Sequence, residues 1–430
     1  MDLKGLNVLI DGINLELLQG TGIKTYGISL IEALKNLGAN PNVLISKYSL
    51  KQDKEINTDA LALFQDMTRE HLLRFNFMLT AKTLLGFSEK AKSIPIPKDL
   101  ILTQGAGGFT YINDVRIYAS RGCYQIADIM RYFGFKVKMK TKPKMDIWHA
   151  TYFTPITVPG TAKISTVHDL VPLRLPYTTV DDKGMFVQRV RDAIKSSQLI
   201  ICVSENTKND ILQYFDVNPD KLFVTYQPSI LNTKLLEKET IFRKLTYYNL
   251  EYQNYILFVG AIEPKKNLRR LMEACLSMDM DMPLIIVGKK AWLWENELKI
   301  LYDDWDKGRT RRKIRLLEYV PVSDLPALYK GAKCLAFPSL YEGFGLPPLE
   351  AMSLGCPVVT SSVSSLPEIC GDAALYVNPY DTRDIADKLG RILNDDALKA
   401  NLVKAGYERA KHFSMENYMK RLATAYGKVC

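Results

Sequence analysis

Two glutamates, Glu342 and Glu350, stand on either side of a Gly-Phe-Gly turn in the segment Y-E-G-F-G-L-P-P-L-E. A turn built on Gly343 and Gly345 lets the backbone approach a ligand closely, because glycine has no Cβ and accepts positive φ. Backbone amides at such a turn, followed by a helix N-terminus, bind anions such as phosphate. The two carboxylates would accept hydrogen bonds from hydroxyl groups on both sides of that phosphate. This combination predicts a nucleotide-sugar as the ligand.

The elements around this turn follow from the neighbouring sequence. The apolar run at 334–337 predicts a buried strand, and Pro347 falls where a first helical position is expected. Helical spacing over 346–354 then places Glu350 about one turn inside the helix. Apolar strand runs alternate with helical stretches through most of the chain, which favours a parallel α/β architecture.

At 430 residues the chain is too long for a single core, so two domains are expected. The polar stretch 227–253 lacks a strong strand pattern and predicts the hinge. We assign 1–235 to a Rossmann-like acceptor-side domain and 250–413 to a Rossmann-like nucleotide-sugar-binding domain. A last helix over 414–430 begins at a Ser cap.

The predicted strands are 8–10, 42–45, 100–102, 146–149, 163–167, 199–203, 222–225, 255–259, 283–287, 314–317, 334–337, 357–360 and 374–377. The predicted helices are 25–37, 187–196, 268–276, 294–306, 323–329, 346–354, 365–369 and 382–394.

The motif S-x-Y-E-G-F-G-L-P-x-L-E-A-M-x-x-G-x-P-V-V, with its E-x7-E spacing, resembles the signature of retaining family 4 glycosyltransferases of GT-B fold. The resemblance implies two doubly wound domains facing across a cleft, with the last helix crossing back onto the first domain. Under this interpretation Glu342 is a catalytic residue that orients the sugar and stabilises an oxocarbenium-like centre, and Glu350 binds the ribose. The implied donor-binding residues of this segment are Gly343, Phe344, Gly345, Leu346 and Glu350.

A second motif, L-F-V-G-A-I-E-P-K-K-N-L, opens the second domain. Lys265 and Lys266 lie between a predicted strand ending at Gly260 and a helix beginning near Asn267. Two ammonium groups at a helix N-terminus would bind a diphosphate, because their charges add to the helix dipole. The segment is similar to the family pattern G-x-x-x-P-R-K-N, whose basic residues bind the donor pyrophosphate. Lys265 replaces the arginine of that pattern, whereas Lys266 matches it.

The third motif, T-V-H-D-L-V-P, places His168 just after a predicted strand. In doubly wound folds ligands bind at the carboxyl ends of parallel strands. In the family an equivalent H-D histidine lies against the donor sugar, so the resemblance implies a catalytic role for His168. His149 also follows a predicted strand and is a weaker candidate for lining the pocket.

A fourth motif, Q-G-T-G-I-K-T-Y, follows the first strand and resembles the first-domain loop G-x-G-I-x-x-Y that faces the donor diphosphate. Gly22 is the donor-binding candidate there. The motif lacks the third glycine of a dinucleotide fingerprint. Two further patterns carry no prediction of chemistry: the D-M-D at 279–281 precedes a strand, at the wrong end for ligand binding, and the glycine run at 105–108 is typical of a turn.

The seven cysteines are scattered singly, which indicates small buried residues in a reducing compartment rather than a disulfide framework or a zinc site. The N-terminus has no signal-peptide layout, and no apolar run is long enough to span a membrane. We therefore expect a cytoplasmic protein, with no metal and no cofactor beyond the nucleotide-sugar substrate.

The net charge of +10 is concentrated in one segment: residues 69–144 contain fourteen Lys and Arg against five Asp and Glu. No recognised nucleic-acid motif accompanies these charges, so nucleic acid is not expected as a partner. Apolar residues interleave with the basic ones, an arrangement that can lie in an anionic lipid interface. The segment therefore predicts either peripheral contact with the inner face of a membrane or an amphipathic helix that packs on the domain.

These motifs predict a retaining, metal-independent glycosyltransferase that moves a sugar from a nucleoside diphosphate to a hydroxyl. The H-D-L-V-P and E-P-K-K-N segments resemble bacterial surface-polysaccharide transferases, several of which use GDP-mannose. The expected acceptor is a glycan or a lipid-linked oligosaccharide. The enzyme alternatives are a nucleotide-sugar epimerase and a GT-B sugar phosphorylase. The non-enzyme alternative is a basic protein that binds membrane or nucleic acid.

Overall fold

The computed structural model describes residues 3–17, 22–46, 77–94, 115–229, 231, 237–278, 282–302 and 313–430. The predicted strand at 100–102, the glycine run at 105–108 and the D-M-D at 279–281 lie outside these residues, as does the basic segment before residue 77. No helix in the described part of the chain is both long and apolar enough to cross a lipid bilayer.

The strands form two large sheets and one small one. In chain order they are β1 (Asn7–Asp11), β2 (Asn40–Ile45), β3 (Ser88–Lys90), β4 (Lys92–Ile94), β5 (Arg116–Ala119), β6 (Val137–Lys140), β7 (Ile147–Ala150), β8 (Ile156–Thr157), β9 (Ala162–Val167), β10 (Leu199–Cys202), β11 (Leu222–Val224), β12 (Ile256–Val259), β13 (Leu284–Val287), β14 (Ile314–Leu317), β15 (Cys334–Phe337), β16 (Val358–Ser361) and β17 (Ala374–Val377).

The first large sheet has the strand order β11-β10-β9-β7-β1-β2-β5-β4, and its pairs are parallel except β4 with β5. The second large sheet has the order β14-β13-β12-β15-β16-β17 and is parallel throughout. Helices cover both faces of such sheets, so central strands such as β10 and β13 are continuous apolar runs. We call the parts built on these sheets the first and the second domain.

The helices, in chain order, are α1 (Gly22–Asn36), α2 (Phe77–Leu84), α3 (Cys123–Tyr132), α4 (Val171–Arg174), α5 (Lys183–Ser196), α6 (Glu205–Tyr214), α7 (Lys238–Tyr247), α8 (Leu268–Ser277), α9 (Trp294–Glu297), α10 (Lys299–Tyr302), α11 (Leu325–Gly331), α12 (Leu346–Ser353), α13 (Leu366–Cys370), α14 (Thr382–Asn394), α15 (Asp396–Lys411) and α16 (Met415–Tyr426). Several begin at side-chain caps of the expected kind: Ser204 caps α6 and Ser414 caps α16.

The last helix, α16, packs against α1 of the first domain. The hydroxyl of Tyr426 lies 2.7 Å from Nδ1 of His149, and Nε2 of His149 lies 2.8 Å from the hydroxyl of Thr166 on β9. Tyr26 of α1 reaches the same Thr166 hydroxyl at 2.9 Å. This buried polar chain joins the C-terminal helix to the centre of the first sheet.

A third sheet, with the order β3-β6-β8, lies beside the first domain. The sequence patterns missed it, together with β4 and β5. Its strands are short, and β6 reads V-K-M-K with alternate residues exposed, so the apolar signal is weak. The polar stretch 227–253 contains helix α7, and the predicted helix at 294–306 begins as two short helices, α9 and α10, with the residues after Tyr302 outside the described part.

Candidate active site

The turn between β15 and α12 lies directly against the first domain. A Cβ built on Gly343 would stand 2.0 Å from the carbonyl oxygen of His168 and 2.9 Å from Cβ of Asp169. Only glycine fits this contact without moving backbone, since real Cβ atoms do not approach oxygen so closely. The contact brings two of the predicted site residues, His168 and Gly343, together from different domains.

Hydroxyl groups at the start of α6 join the same two backbone segments. Ser204 Oγ donates a hydrogen bond to the carbonyl of Gly343 at 2.6 Å. Thr207 Oγ1 lies 3.2 Å from the carbonyl of His168 and 3.3 Å from that of Gly343. Since Ser204 also caps α6 through the amide of Thr207, the helix start and the glycine turn hold each other in place.

The backbone amides of residues 343–346 are the free donors of this turn. Among the described residues, no protein group accepts a hydrogen bond from any of these four amides. Pro347 and Pro348 follow and carry no N–H, and the amide of Leu349 already bonds to the carbonyl of Gly345 at 3.2 Å. The anion-binding capacity of this helix N-terminus is therefore concentrated in the turn itself.

The remaining parts of the turn are held by side chains of both domains. Gly345 has φ +114, a value that favours glycine, and the side chain of Leu366 lies next to the position that a Cβ would take. Phe344 turns its ring inward, with its centroid 6.4 Å from that of Tyr226 and 5.8 Å from that of Phe413. Ser365 donates to the carbonyl of Phe344 at 2.6 Å. Phe344 thus anchors the turn through its side chain and leaves only its amide for a ligand.

Lys266 and Glu342 form a direct ion pair, with Nζ 2.6 Å from Oε1. Both residues are buried, and the ammonium also lies 4.8 Å from the ring centroid of Phe337. The amide of Glu342 donates to Ser364 at 3.0 Å, which fixes the backbone below the carboxylate. The ring of Phe337 thus holds the lysine and the bond to Ser364 holds the backbone of the glutamate, so the geometry of the pair is set before any ligand arrives.

Lys265 connects the two domains through charge. Its Nζ lies 3.7 Å from Oδ2 of Asp169 in the first domain and 3.6 Å from Oε1 of Glu263 in the second. Burial opposes the charge of this ammonium, but Asp169, Glu263 and Glu342 together hold the pKa of Lys265 above its usual range. Lys265 is therefore charged at neutral pH.

Asn267 shapes the basic loop. It adopts a left-handed conformation with φ 59, and its Nδ2 donates to the carbonyls of Pro338 and Pro379 at 2.9 and 2.7 Å. Asparagine is among the few residues that tolerate this backbone region. The loop that carries both lysines is thus fastened to the segments after β15 and β17.

Glu350 lies deeper in the second domain than Glu342. Its Oε2 accepts a hydrogen bond of 2.8 Å from the hydroxyl of Tyr329 on α11. Burial raises the pKa of Glu350 to about 7, although the hydrogen bond from Tyr329 opposes that rise. The carboxyl group consequently changes charge near neutral pH.

His168 has a defined tautomer. Its Nε2 lies 2.9 Å from the carbonyl oxygen of Thr151, which can only accept, so Nε2 carries the proton. Burial lowers the pKa of His168 to about 4, so the ring is neutral near pH 7. Its Nδ1 is then a hydrogen-bond acceptor, suited to a sugar hydroxyl. The ring of Tyr26 meets that of His168 edge-on at 4.9 Å and fixes its plane.

The other two first-domain candidates differ from the site residues above. Gly22 is the exposed first residue of α1, and the four residues before it, 18–21, lie outside the described part. His149 is fully buried, and both its ring nitrogens are used within the protein. Burial lowers the pKa of His149 to about 3. His149 therefore joins α16 to the sheet, and the interpretation that it lines the pocket is wrong.

The sequence patterns did not single out several residues that build this site. Asp169, Glu263 and the hydroxyls of α6 carry no motif of their own, although the H-D and E-P-K-K segments contain the two acids. Asp11, at the end of β1, is fully buried and accepts from the amide of Tyr152 at 3.3 Å and from that of Thr151. It positions the loop whose carbonyl binds His168.

Known proteins are similar to this chain in sequence and in fold. Residues 239–409 match the family described as glycosyl transferases group 1. The chain is 34% identical over 268 residues to O-antigen chain mannosyltransferase B of Escherichia coli, covering 61% of this chain and 69% of that protein. It is 27% identical over 281 residues to the serotype-specific mannosyltransferase WbdA of Escherichia coli, covering 61% of this chain but 34% of that longer protein.

Among solved structures, the sucrose-phosphate synthase of Thermosynechococcus elongatus superposes with a TM-score of 0.67 at 15% identity, covering 98% of both chains. The two large α/β sheets and this superposition define the GT-B fold. The chain belongs to the glycosyl transferases group 1 family.

Proposed function

We propose that this protein transfers a mannosyl group from GDP-mannose to a hydroxyl of a glycan or lipid-linked acceptor, with retention at the anomeric carbon and without a metal ion. The choice of mannose follows the names of two relatives, an O-antigen chain mannosyltransferase and a serotype-specific mannosyltransferase. One observation carries the chemistry. Four unclaimed backbone amides lie in one turn with an oriented Lys266–Glu342 pair beside it.

The donor diphosphate is the group that these elements fit. Negative charge accumulates on the leaving diphosphate as the glycosidic bond breaks, and preorganised donors stabilise such charge most effectively. The amides of residues 343–346, Lys265 and Lys266 supply those donors. The two lysine ammonium groups take the place that a divalent cation holds in metal-dependent transferases. For this reason we propose a metal-independent reaction.

Lys266 exchanges partners when the donor binds. Without a ligand its charge is balanced by Glu342 at 2.6 Å. A phosphate oxygen that binds Lys266 weakens this pair, and the Glu342 carboxylate is then free to accept from the sugar hydroxyls. The same carboxylate stabilises the positive charge that develops at the anomeric carbon. His168 Nδ1 accepts from a further hydroxyl on the first-domain side.

Retention follows from attack on the same face as the departing phosphate. The carboxylates nearest this turn are engaged by lysines, Glu342 by Lys266 and Asp169 by Lys265. Asp169 remains in its ion pair, and Glu342, once released from Lys266, is engaged by the sugar hydroxyls. We therefore favour acceptor attack assisted by the leaving phosphate over a covalent intermediate. The contact of the two domains across Gly343 would exclude water from this step.

The first experiment is a thermal-shift panel of nucleotide-sugars and free nucleotides, because a ligand that binds the folded state raises the Tm. We expect GDP and GDP-mannose to give the largest shifts. Transfer from GDP-mannose to a lipid-linked glycan is then followed with and without EDTA, and the linkage of the product is read by NMR. An inverted product, or loss of activity with EDTA, would refute the corresponding part of the proposal. Release of an isomerised nucleotide-sugar without acceptor would favour the epimerase alternative.

Glu342→Gln tests the carboxylate directly. We expect kcat to fall by about a hundredfold, because a group that stabilises transition-state charge is lost while the side-chain volume is kept. GDP should still raise the Tm, since the amides and lysines remain. Glu273→Gln is the matched control, because Glu273 forms an exposed pair with Arg269 on α8. An unchanged kcat for Glu342→Gln would eliminate the proposed role.

The proposal includes contact with an anionic membrane through the first domain. Helices α2 and α3 both end in turns that lead into parallel, directly paired strands, β3 and β6. The two turns therefore lie side by side. They expose Leu85 at 71%, Phe87 at 63%, Tyr132 at 69% and Phe133 at 68%. We call these four residues the apolar edge.

Basic groups border this edge. Lys136 and Lys138 are exposed, and Nζ of Lys138 lies 3.0 Å from the carbonyl of Gly86 in the first turn. Aromatic and aliphatic side chains next to lysines are suited to the interface of an anionic bilayer. This arrangement favours the membrane interpretation of the basic segment over simple packing on the domain.

Vesicle sedimentation tests the contact. We expect the protein to bind vesicles of phosphatidylglycerol and phosphatidylcholine more strongly than pure phosphatidylcholine, and less strongly as salt rises. The double variant Leu85→Ser, Phe133→Ser should bind at least severalfold more weakly. Val322→Ser, which removes an exposed apolar side chain of the second domain, serves as the control. Equal binding by the wild type and both variants would exclude the apolar edge as the membrane contact.

A further inference from the structure

A pocket in the first domain, away from the lysine pair and the glycine turn, gathers four cationic side chains. It lies between the end of α3, the body of α5 and the start of β9, and it is a small cavity of about 20 Å³ that is partly open to solvent. Its cations are Arg131, Lys136, Lys163 and Arg189. The mechanism proposed above uses none of them.

The acids near these cations do not balance them. Asp128 lies 3.6 Å from Arg131 and 3.7 Å from Arg189, and its own side chain is half exposed. Asp192 lines the pocket and accepts from Gln188 at 3.2 Å. In the described part of the chain, two carboxylates, Asp128 and Asp192, thus border the four cations.

Among the described residues, several buried donors beside the pocket have no hydrogen-bond partner. The side chain of Arg131 is only 7% exposed, and its Nη2 donates to the carbonyl of Phe153 at 2.7 Å. Its Nε is buried without a hydrogen-bond partner, and the same holds for Nε of Arg189 and the hydroxyl of the buried Thr154. A buried donor without an acceptor destabilises the folded state, so such groups usually meet a ligand or water.

The electrostatics of the pocket agree with this geometry. Burial, with Lys136 as the next cause, lowers the pKa of Lys163 to about 8. Burial and the neighbouring Arg189 also lower the pKa of Arg131. The Lys163 ammonium donates to Ser196 at 2.9 Å, a neutral partner. The cations repel one another in a site that an anion would neutralise.

We propose that this pocket binds a phosphate group. Two guanidinium groups and a hydroxyl supply directional donors for phosphate oxygens, and the two lysines add charge. Lys136 and Arg131 stand next to the apolar edge, so the phosphate can come from a lipid headgroup as well as from a soluble phosphate. The pocket does not depend on the glycosyl-transfer proposal, because it shares no residue with the donor site.

Binding of inorganic phosphate, measured by calorimetry at constant ionic strength, tests the proposal. We expect wild-type protein to bind phosphate, and Arg189→Gln and Lys136→Gln each to weaken binding by about tenfold, the loss typical of one charge-assisted hydrogen bond. Lys136 is exposed, so its variant should fold even if the Arg189 variant does not. Lys140→Gln, at the end of the strand β6 that follows Lys136 and outside the pocket, is the matched control. The GDP-dependent rise in Tm should be equal in all four proteins, which separates this site from the donor site.

The source of the phosphate is resolved with vesicles. Stronger sedimentation with phosphatidic acid than with phosphatidylglycerol at equal surface charge, lost in Arg189→Gln, would assign a lipid headgroup. Equal sedimentation with both lipids, together with phosphate binding in solution, would assign a soluble phosphate. The proposal is overturned if wild-type protein does not bind phosphate, or if both pocket variants bind it as the wild type does.

Discussion

At the scale of single residues, the two glutamates of the motif differ in environment although both are buried. Glu342 is balanced by a lysine ammonium at 2.6 Å, whereas Glu350 has only the hydroxyl of Tyr329 at 2.8 Å. Burial without a cation raises the pKa of Glu350 to about 7. The E-x7-E spacing predicts both positions but not this difference, because the lysine and the tyrosine come from other parts of the chain.

The pH dependence of donor binding follows from Glu350. If Glu350 accepts hydrogen bonds from the ribose hydroxyls, donor affinity is full above pH 7 and falls as pH drops through 7 and the carboxylate is protonated. Tyr329→Phe removes the hydrogen bond that favours the carboxylate, so the pKa of Glu350 rises further and the acid limb of kcat/KM moves to higher pH. At pH 7 we expect kcat/KM to fall by about tenfold.

The control for this prediction is the same variant at alkaline pH. Glu350 is ionised there in both proteins, so kcat/KM of Tyr329→Phe should approach that of the wild type. His168, with a pKa of about 4, should not contribute to the limb near pH 7. If the acid limb of the kcat/KM profile has the same midpoint pH in Tyr329→Phe as in the wild type, Glu350 does not govern donor binding.

At the scale of secondary-structure elements, the turn before α12 depends on contact with the first domain. The sequence predicts glycine at 343 for the approach of a ligand, and the structure adds a second reason, since the carbonyl of His168 occupies the space of a Cβ. Only the fold brings these residues, far apart in the chain, to one point.

Gly343→Ala tests this contact. The new methyl group would meet backbone at 2.0 Å, so the turn must move away from His168. We expect kcat to fall by about a hundredfold, because a displacement of this size misplaces the donor relative to the catalytic groups. Gly390→Ala on α14 is the control, since its nearest neighbour would be Cε of Met278 at 3.8 Å, and it should stabilise the helix slightly. Wild-type kinetics for Gly343→Ala would show that the contact is not required.

The strands of the second domain could be predicted well from sequence for a physical reason. Parallel strands covered on both faces are apolar throughout, so the predicted segments 314–317, 334–337 and 374–377 coincide with β14, β15 and β17. Strands β3 and β6 of the small sheet have one exposed side and many lysines, and they give no such signal. The parts of the site that sequence could not predict, such as the Lys265–Asp169 bridge, are contacts between domains.

At the scale of the whole molecule, polar contacts join the two domains alongside apolar ones. Glu368 of α13 accepts from the amides of Glu205 and Asn206 at 2.7 and 3.0 Å, so a carboxylate of the second domain occupies the N-terminus of α6 in the first. Tyr341 bonds to Asp210 on the same helix. Polar interfaces of this kind permit relative motion of domains, as a transferase that admits its donor and then excludes water requires.

Glu368→Ala should shift the molecule toward an open arrangement. The change removes a charge-assisted cap from α6, an interaction that usually contributes about 1–2 kcal/mol, and it leaves the lysines and the glycine turn intact. We expect the donor KM to rise by about tenfold and the radius of gyration from small-angle scattering to increase, whereas saturating GDP should restore part of the wild-type value. Lys404→Ala, an exposed change on α15, should alter neither quantity. If the KM rises with no change in the scattering curve, the carboxylate of Glu368 acts locally at the start of α6 and does not control the arrangement of the domains.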